Sequence, residues 1–231
     1  MYCKSFSKNR IVVKLSVFLI LGCFLSVCFS PVFGQKGKLS TNPHAQALFL
    51  EAQDSFDIGN YKSAARLNCK AVSLDTNFIA AYDNAGLAYR FMNNLDSAEF
   101  FYLKSFEKEP SNSIAAQNLA VVSEFRKDYS RAMLLYTIVS QMEPENPEGY
   151  FGLARTYYIL NRKYEALESA HAAEKLYKKQ NSPHIADCYI ILTVLYYDLG
   201  KRKEAKNYLQ LAKSAGAKPD TILEEAVMKK D

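Results

Sequence analysis

The sequence predicts an all-α protein, a stack of about five antiparallel helix pairs closed by a C-terminal capping helix. Three observations carry this. Alanine returns every 34 residues, at Ala64, Ala98, Ala132 and Ala166, and a fixed period of that length marks a repeated supersecondary unit. Glycine and proline are few, 9 and 7 of 231 residues, while Ala, Leu, Tyr, Lys and Glu are plentiful, which favours helices over a turn-rich β fold. Asn-Pro pairs at 42–43 and 146–147 read as helix starts: the asparagine caps, and the proline gives up an N–H that has no helical partner anyway. With 49% of residues hydrophobic, a buried core is within reach.

The chain begins with four bases, Lys4, Lys8, Arg10 and Lys14, and no acid before residue 35. An apolar run over 15–33 follows, then Gln-Lys-Gly-Lys. This is the pattern of a secretory signal over 1–34, with Val32 and Gly34 supplying small residues for cleavage between Gly34 and Gln35. Two alternatives stay open. Ile20-Leu21-Gly22-Cys23 resembles a lipobox with Cys23 as the lipidated residue, and the run is long enough for an uncleaved membrane anchor. All three place the folded body outside the cytoplasm, periplasmic or secreted, with membrane contact only through this segment if it is uncleaved or lipidated.

The formal charge of +5 is concentrated there. The remainder carries 25 bases against 24 acids, so the body is close to neutral and lacks the clustered cations that nucleic-acid binding draws on. Cys3, Cys23 and Cys28 fall in the N-terminal segment, leaving Cys69 and Cys188 in the body. An exported protein can pair two cysteines, but these lie in the first and fifth units and are expected to be buried single thiols.

Residues 35–43 read as a linker and 44–219 as the repeat body, with units at about 45–78, 79–112, 113–146, 147–180 and 186–219. In the first unit Leu48, Ala52 and Ser55 line one helix, Gly59-Asn60 turns, and Ala64, Asn68 and Ala71 line the second. The second unit carries Tyr82, Gly86 and Tyr89, then Ala98, Tyr102 and Pro110. The third offers Ala116, Leu119, Ala120 and Ser123, then Ala132, Tyr136 and Val139; the fourth Tyr150, Leu153, Ala154 and Tyr157, then Ala166 and Ala173. Between Ala166 and Ala205 the spacing grows to 39, with the extra residues near 178–183 and Ser182-Pro183 as a fresh helix start. The fifth unit holds Tyr189, Leu192, Thr193, Tyr196, Gly200, Ala205, Leu209 and Ala212. Over 220–231, Thr221 to Glu224 reads as a capping box opening a short helix that covers the last apolar face.

The recurring positions have a packing reason. Helices approach closely only where a side chain is small, so Ala52, Gly86, Ala120 and Ala154 let each pair meet, and the alanine ladder does so on the second helices. Tyrosines 89, 102, 136 and 157 fill the gaps between units. Leucine at Gly86 or Ala98 is expected to overpack the stack, at a cost of about 1–3 kcal/mol.

These residues resemble the tetratricopeptide-repeat family, whose pattern of Trp-x2-Leu-Gly-x2-Tyr, Ala-x3-Phe, Ala and a closing Pro is matched best by Tyr82, Ala85, Gly86, Tyr89, Ala98, Tyr102, Ser105 and Pro110. The resemblance covers about 45–219 and departs from the pattern in lacking tryptophan throughout. It implies a right-handed superhelical solenoid and a scaffold that binds a protein or peptide along the first helices. Carried over by offset, that groove comprises Phe49, Gln53 and Phe56; Asp83, Asn84, Leu87, Arg90 and Phe91; Gln117, Asn118, Val121, Glu124 and Phe125; and Phe151, Arg155, Tyr158, Ile190, Val194 and Tyr197. The aromatics would offer apolar area, Asn84 and Asn118 would meet a peptide backbone, and Arg90 and Arg155 would meet carboxylates. The basic cluster with which some members hold a terminal carboxylate is missing. The same aromatics at helical spacing also suit packing against neighbouring helices.

Chemistry of other kinds finds little support. His44, His171 and His184 show no ligand spacing for a metal and read as exposed or helix-end residues. Gly149-x2-Gly152 lies inside a helix with no strand before it and is no phosphate loop. No enzyme, cofactor, metal or small-molecule substrate is expected. The alternative to a groove-binding scaffold is a structural or accessory subunit of a cell-envelope complex, acting through its convex face or by end-to-end packing.

Overall fold

The computed structural model describes residues 39–229. The signal segment, the expected junctions at Gly34-Gln35 and Cys23, and the last two residues, Lys230 and Asp231, lie outside them.

Among the described residues eleven helices run in order: α1 (Pro43–Asp57), α2 (Tyr61–Leu74), α3 (Ile79–Phe91), α4 (Leu95–Lys108), α5 (Ser113–Phe125), α6 (Tyr129–Met142), α7 (Pro147–Ile159), α8 (Lys163–Lys179), α9 (Ile185–Asp198), α10 (Arg202–Ser214) and α11 (Thr221–Met228). Among the described residues there is no strand. The helix starts are chemically explicit. Asn42 accepts from the His44 and Ala45 amides and Asn146 from the Glu148 amide, each with a proline next. Asn60, Asn94 and Asp128 accept from Ser63, Ser97 and Arg131 at the starts of α2, α4 and α6, which satisfies donors that helix geometry leaves over.

One turn geometry repeats inside each pair. The residue before each second-helix cap takes a left-handed conformation: Gly59 (φ 78), Asn93 (φ 56), Lys127 (φ 62), Asn161 (φ 60) and Gly200 (φ 75). Glycine and asparagine tolerate this backbone, whereas a lysine Cβ meets the following carbonyl. Lys127→Gly is therefore expected to raise stability by about 1 kcal/mol, read as a shifted urea midpoint at constant slope.

The described residues form two compact units, 39–143 and 144–229. In the first, α1 packs on α2, α3 on α4 and α5 on α6, and α2–α3 and α4–α5 join successive pairs. Ala64, Ala98 and Ala132 are fully buried on the second helices, with Ala52 and Ala120 at the facing positions. Tyr102 and Tyr136 fill the space between them and are buried as well. Gly86 shows why this must be so: a Cβ there would lie 2.6 Å from Cε1 of Tyr102.

In the second unit α7 packs on α8 and α9 on α10, with α8–α9 and α10–α11 joining them. Its core gathers Phe151, Ala154, Ala166, Ala170, Tyr177, Leu192, Leu195, Ala205 and Leu209, and α11 closes it with Leu223 and Val227.

Four sequence expectations change in detail. The extra residues after Ala166 mostly lengthen a helix: α8 has 17 residues, against 14 in α2, α4 and α6. Helix α9 starts at Ile185, not at Ser182-Pro183; the His184 side chain makes no cap hydrogen bond, and Ser182 Oγ accepts from the His184 amide at 3.3 Å. The cap of α11 is Asp220, which accepts from the Ile222 amide; Thr221 is already helical, and Glu224 pairs with Lys213 instead of closing a capping box. His171 lies in the middle of α8, not at a helix end. Cys69 and Cys188 are both free thiols, the first half-buried and the second buried.

Candidate partner-binding site

The residues placed on the groove by offset separate into three groups. Phe49, Val121, Phe151, Arg155, Tyr158 and Ile190 are buried. Phe49 packs on Phe78 with centroids 4.8 Å apart, Phe151 meets Tyr177 edge-on at 5.9 Å, and Arg155 lies over the Phe151 ring at 5.0 Å. Tyr158 donates to Asp198 at 2.9 Å, and burial pushes its hydroxyl pKa well up, with the carboxylate adding to the shift.

A second group is engaged with neighbouring rings and cations. Phe56 of α1 meets Phe91 of α3 edge-on at 5.1 Å, and Tyr61 closes a three-ring cluster at 4.9 Å from each. Arg90 sits 5.2 Å from the Phe91 centroid, and Tyr197 lies beneath Arg202 at 5.6 Å.

The third group is open. Gln53 on α1, Asn84 and Leu87 on α3, and Gln117 and Asn118 on α5 are half-buried, and Phe125 is 45% exposed. The four amides among them have no hydrogen-bond partner among the described residues, although α3 and α5 touch directly. An amide carries two donors and an acceptor, so these positions on the first helices present paired donors and acceptors. That chemistry matches a peptide backbone.

Asp83, assigned to the same face, turns inward. Asn112 donates from Nδ2 to its Oδ2 at 2.8 Å and to Ser105 Oγ at 2.8 Å, while Asn112 Oδ1 caps α5 by accepting from the Ile114 and Ala115 amides. One asparagine thereby ties α3, α4 and α5 together. Oδ1 of Asp83 is buried without a partner. Burial pushes the carboxyl up to about 6, against the opposing pull of the Ser105 and Asn112 hydrogen bonds. Glu124, also on the projected groove, is buried and accepts from Tyr136 Oη at 2.8 Å.

Sequence reasoning missed a polar network in the second unit. His171 is 2.9 Å from Glu174 and 2.8 Å from Tyr196 Oη, Lys178 Nζ and Tyr208 Oη donate to the Glu174 carboxylate at 2.7 and 3.3 Å, and the Tyr196 and Tyr208 rings stack at 5.3 Å. Burial alone would raise the Glu174 pKa, but the Lys178 and His171 hydrogen bonds outweigh it and hold the carboxyl below its usual range. The i, i+3 and i+4 spacing of His171, Glu174 and Lys178 signals the local half of this network; Tyr196 and Tyr208 arrive from two other helices. No group of three or more metal-ligating side chains occurs among the described residues, nor a helix long and apolar enough to cross a membrane.

Residues 79–112 match the family model of the tetratricopeptide repeat. Among curated proteins the chain is 22% identical over 158 residues to anaphase-promoting complex subunit 3 of Schizosaccharomyces pombe, covering 68% of this chain and 23% of that protein, so it spans about a quarter of that relative's length. Among solved structures it is similar to MamA residues 41 to the end from Desulfovibrio magneticus RS-1, with TM-score 0.67, 16% identity, and coverage of 76% of this chain and 97% of that one. It is also similar to YrrB, described as a TPR protein with an unusual peptide-binding site, with TM-score 0.59, 20% identity and coverage of 78% and 89%. The likeness to solved structures concerns the fold, and together with the match at 79–112 it supports a tetratricopeptide-like arrangement of helix pairs.

Proposed function

We propose that this chain is an exported scaffold that binds an extended peptide or protein segment along the first helices of its repeats. The observation that carries this is the set of four amides on the first helices, Gln53, Asn84, Gln117 and Asn118, half-buried and lacking hydrogen-bond partners among the described residues. Amides recognise a backbone regardless of its side chains, while Leu87 and Phe125 provide area for an anchor residue. The fold is one typically used for protein interaction, and a neighbouring structure, YrrB, is described by its peptide-binding site. Export rests on the sequence of 1–34 alone.

Crosslinking with mass spectrometry in the native cell identifies the bound segment. Asn84→Ala/Asn118→Ala is then expected to reduce its recovery by about tenfold, on the scale of one or two interface hot spots; undiminished recovery would overturn the groove assignment. Sequencing the mature N-terminus is expected to begin at Gln35. A modified Cys23 at that end would show a lipoprotein, and a chain still beginning at Met1 an anchor.

A second reading, the accessory subunit of a larger assembly, draws on a different surface. Phe100 (52% exposed) on α4 and Leu134 (61% exposed) on α6 occupy the same place in successive units, and Leu103 and Ile138 lie beside them in the open. An apolar stripe on the second helices fits contact with another protein through the opposite face.

A further inference from the structure

Helix α2 carries a feature that the groove reading does not use. A cleft of about 820 Å3 is lined by Asn60, Ser63, Ala65, Cys69, Ser73, Tyr89 and Met92 together with three cations, Lys62, Arg66 and Lys70. Those cations stand at i, i+4 and i+8, one face of a helix, and span about 12 Å along its axis. All three are exposed, and none has an ion-pair or hydrogen-bond partner for its charged end among the described residues. No carboxylate lines the cleft. The stripe is peculiar to this helix: the corresponding residues are Asp96, Phe100 and Lys104 on α4 and Ser130, Leu134 and Ile138 on α6.

Three like charges held on one helix face with no counter-charge repel one another and cost stability, so the arrangement makes physical sense where an acidic partner arrives. The floor is apolar. Tyr89 stacks on Phe101 with planes 11° apart and centroids at 5.4 Å, and Ala65 and Met92 lie beside it in one cluster. We infer that this cleft is a second docking site, distinct from the first-helix amides, that takes an amphipathic acidic helix with carboxylates at successive i, i+4 positions and an apolar side chain seated between Tyr89 and Met92. A polyphosphate chain would satisfy the cations but leave the floor empty, and the body as a whole, with 25 bases against 24 acids, is close to neutral.

The test uses the full chain and a fluorescein-labelled helical peptide with Glu at three successive i, i+4 positions and Leu on the adjoining face, followed by anisotropy. Binding is expected in low salt, to weaken at least about tenfold in Lys62→Ala/Arg66→Ala/Lys70→Ala, and to fall with rising salt as expected for exposed charges. The substitutions are at exposed positions, and an unchanged thermal midpoint confirms the fold. Cys69 lies in the cleft, so the peptide is also expected to slow its alkylation. Equal affinity in the triple variant, equal affinity for a peptide with Lys in place of Glu, or tighter binding of a single-stranded oligonucleotide or of anionic vesicles than of the peptide would each overturn the inference.

Discussion

Gly86→Ala should destabilise the 39–143 unit, although alanine is the better helix former by about 1 kcal/mol. The added Cβ would stand 2.6 to 2.9 Å from three atoms of the Tyr102 ring, well inside van der Waals contact. That ring is fully buried, and it packs in a cluster with Ala98, Leu119 and Val122 that leaves it little room to move. Overpacking of this kind costs about 1–3 kcal/mol, so after the propensity gain a net loss of up to about 2 kcal/mol is expected in urea unfolding for alanine and more for leucine. Tyr102→Ala, which empties the site, should cost about 3–5 kcal/mol. The pair should be strongly non-additive, because Gly86→Ala no longer clashes once the ring is gone. Additive losses would show that Gly86 and Tyr102 do not meet.

The second large effect concerns Asp83 and depends on pH. Its carboxyl is raised from 3.8 to about 6 in the folded protein, chiefly by burial, so between those values the folded state binds more protons than the unfolded chain. Stability contributed by this residue is therefore present below about pH 4 and is lost as pH rises through 6, by about 3 kcal/mol for a two-unit shift. The groups facing it are Ser105 and Asn112, which donate or share hydrogen bonds, and Glu109, whose negative charge adds to the upward shift. Asp83→Asn retains an acceptor for Asn112 and removes the buried charge. The variant is expected to be more stable than wild type at pH 7 by about 1–3 kcal/mol and to lose that advantage by pH 4. A difference that is flat across this range would contradict the burial of the Asp83 carboxylate.

How far the sequence spoke depended on how few chemical solutions each position allowed. The alanine ladder was legible because close helix approach admits only small side chains, and every rung, Ala64, Ala98, Ala132, Ala166 and Ala205, is fully buried. The Asn-Pro starts were legible because cap and proline serve one geometry. The left-handed turn residues were only partly so: Gly59 and Gly200 advertise that backbone, but Lys127 adopts it without any compositional sign. Helical periodicity assigns a residue to a face and leaves its rotamer open. That is why Asp83 fell on the projected groove while its carboxylate points to Asn112, and why Phe56 and Phe91, spaced as groove aromatics, prove to be packed on each other. The His171 network joins side chains from three helices, and no spacing rule within one helix reports such a meeting. The cations of α2 were visible in the sequence, but their lack of counter-charges emerged only with the neighbouring helices in place.

The claim that partners bind on the first helices can be tested most directly by placing a photo-crosslinking amino acid at Leu87 on α3, and in a parallel strain at Leu134 on α6, and mapping the products in the native cell. The account predicts a defined protein adduct at Leu87 that is lost in the Asn84→Ala/Asn118→Ala background. Adducts formed at Leu134 with none at Leu87 would contradict it and assign the interaction to the second-helix face.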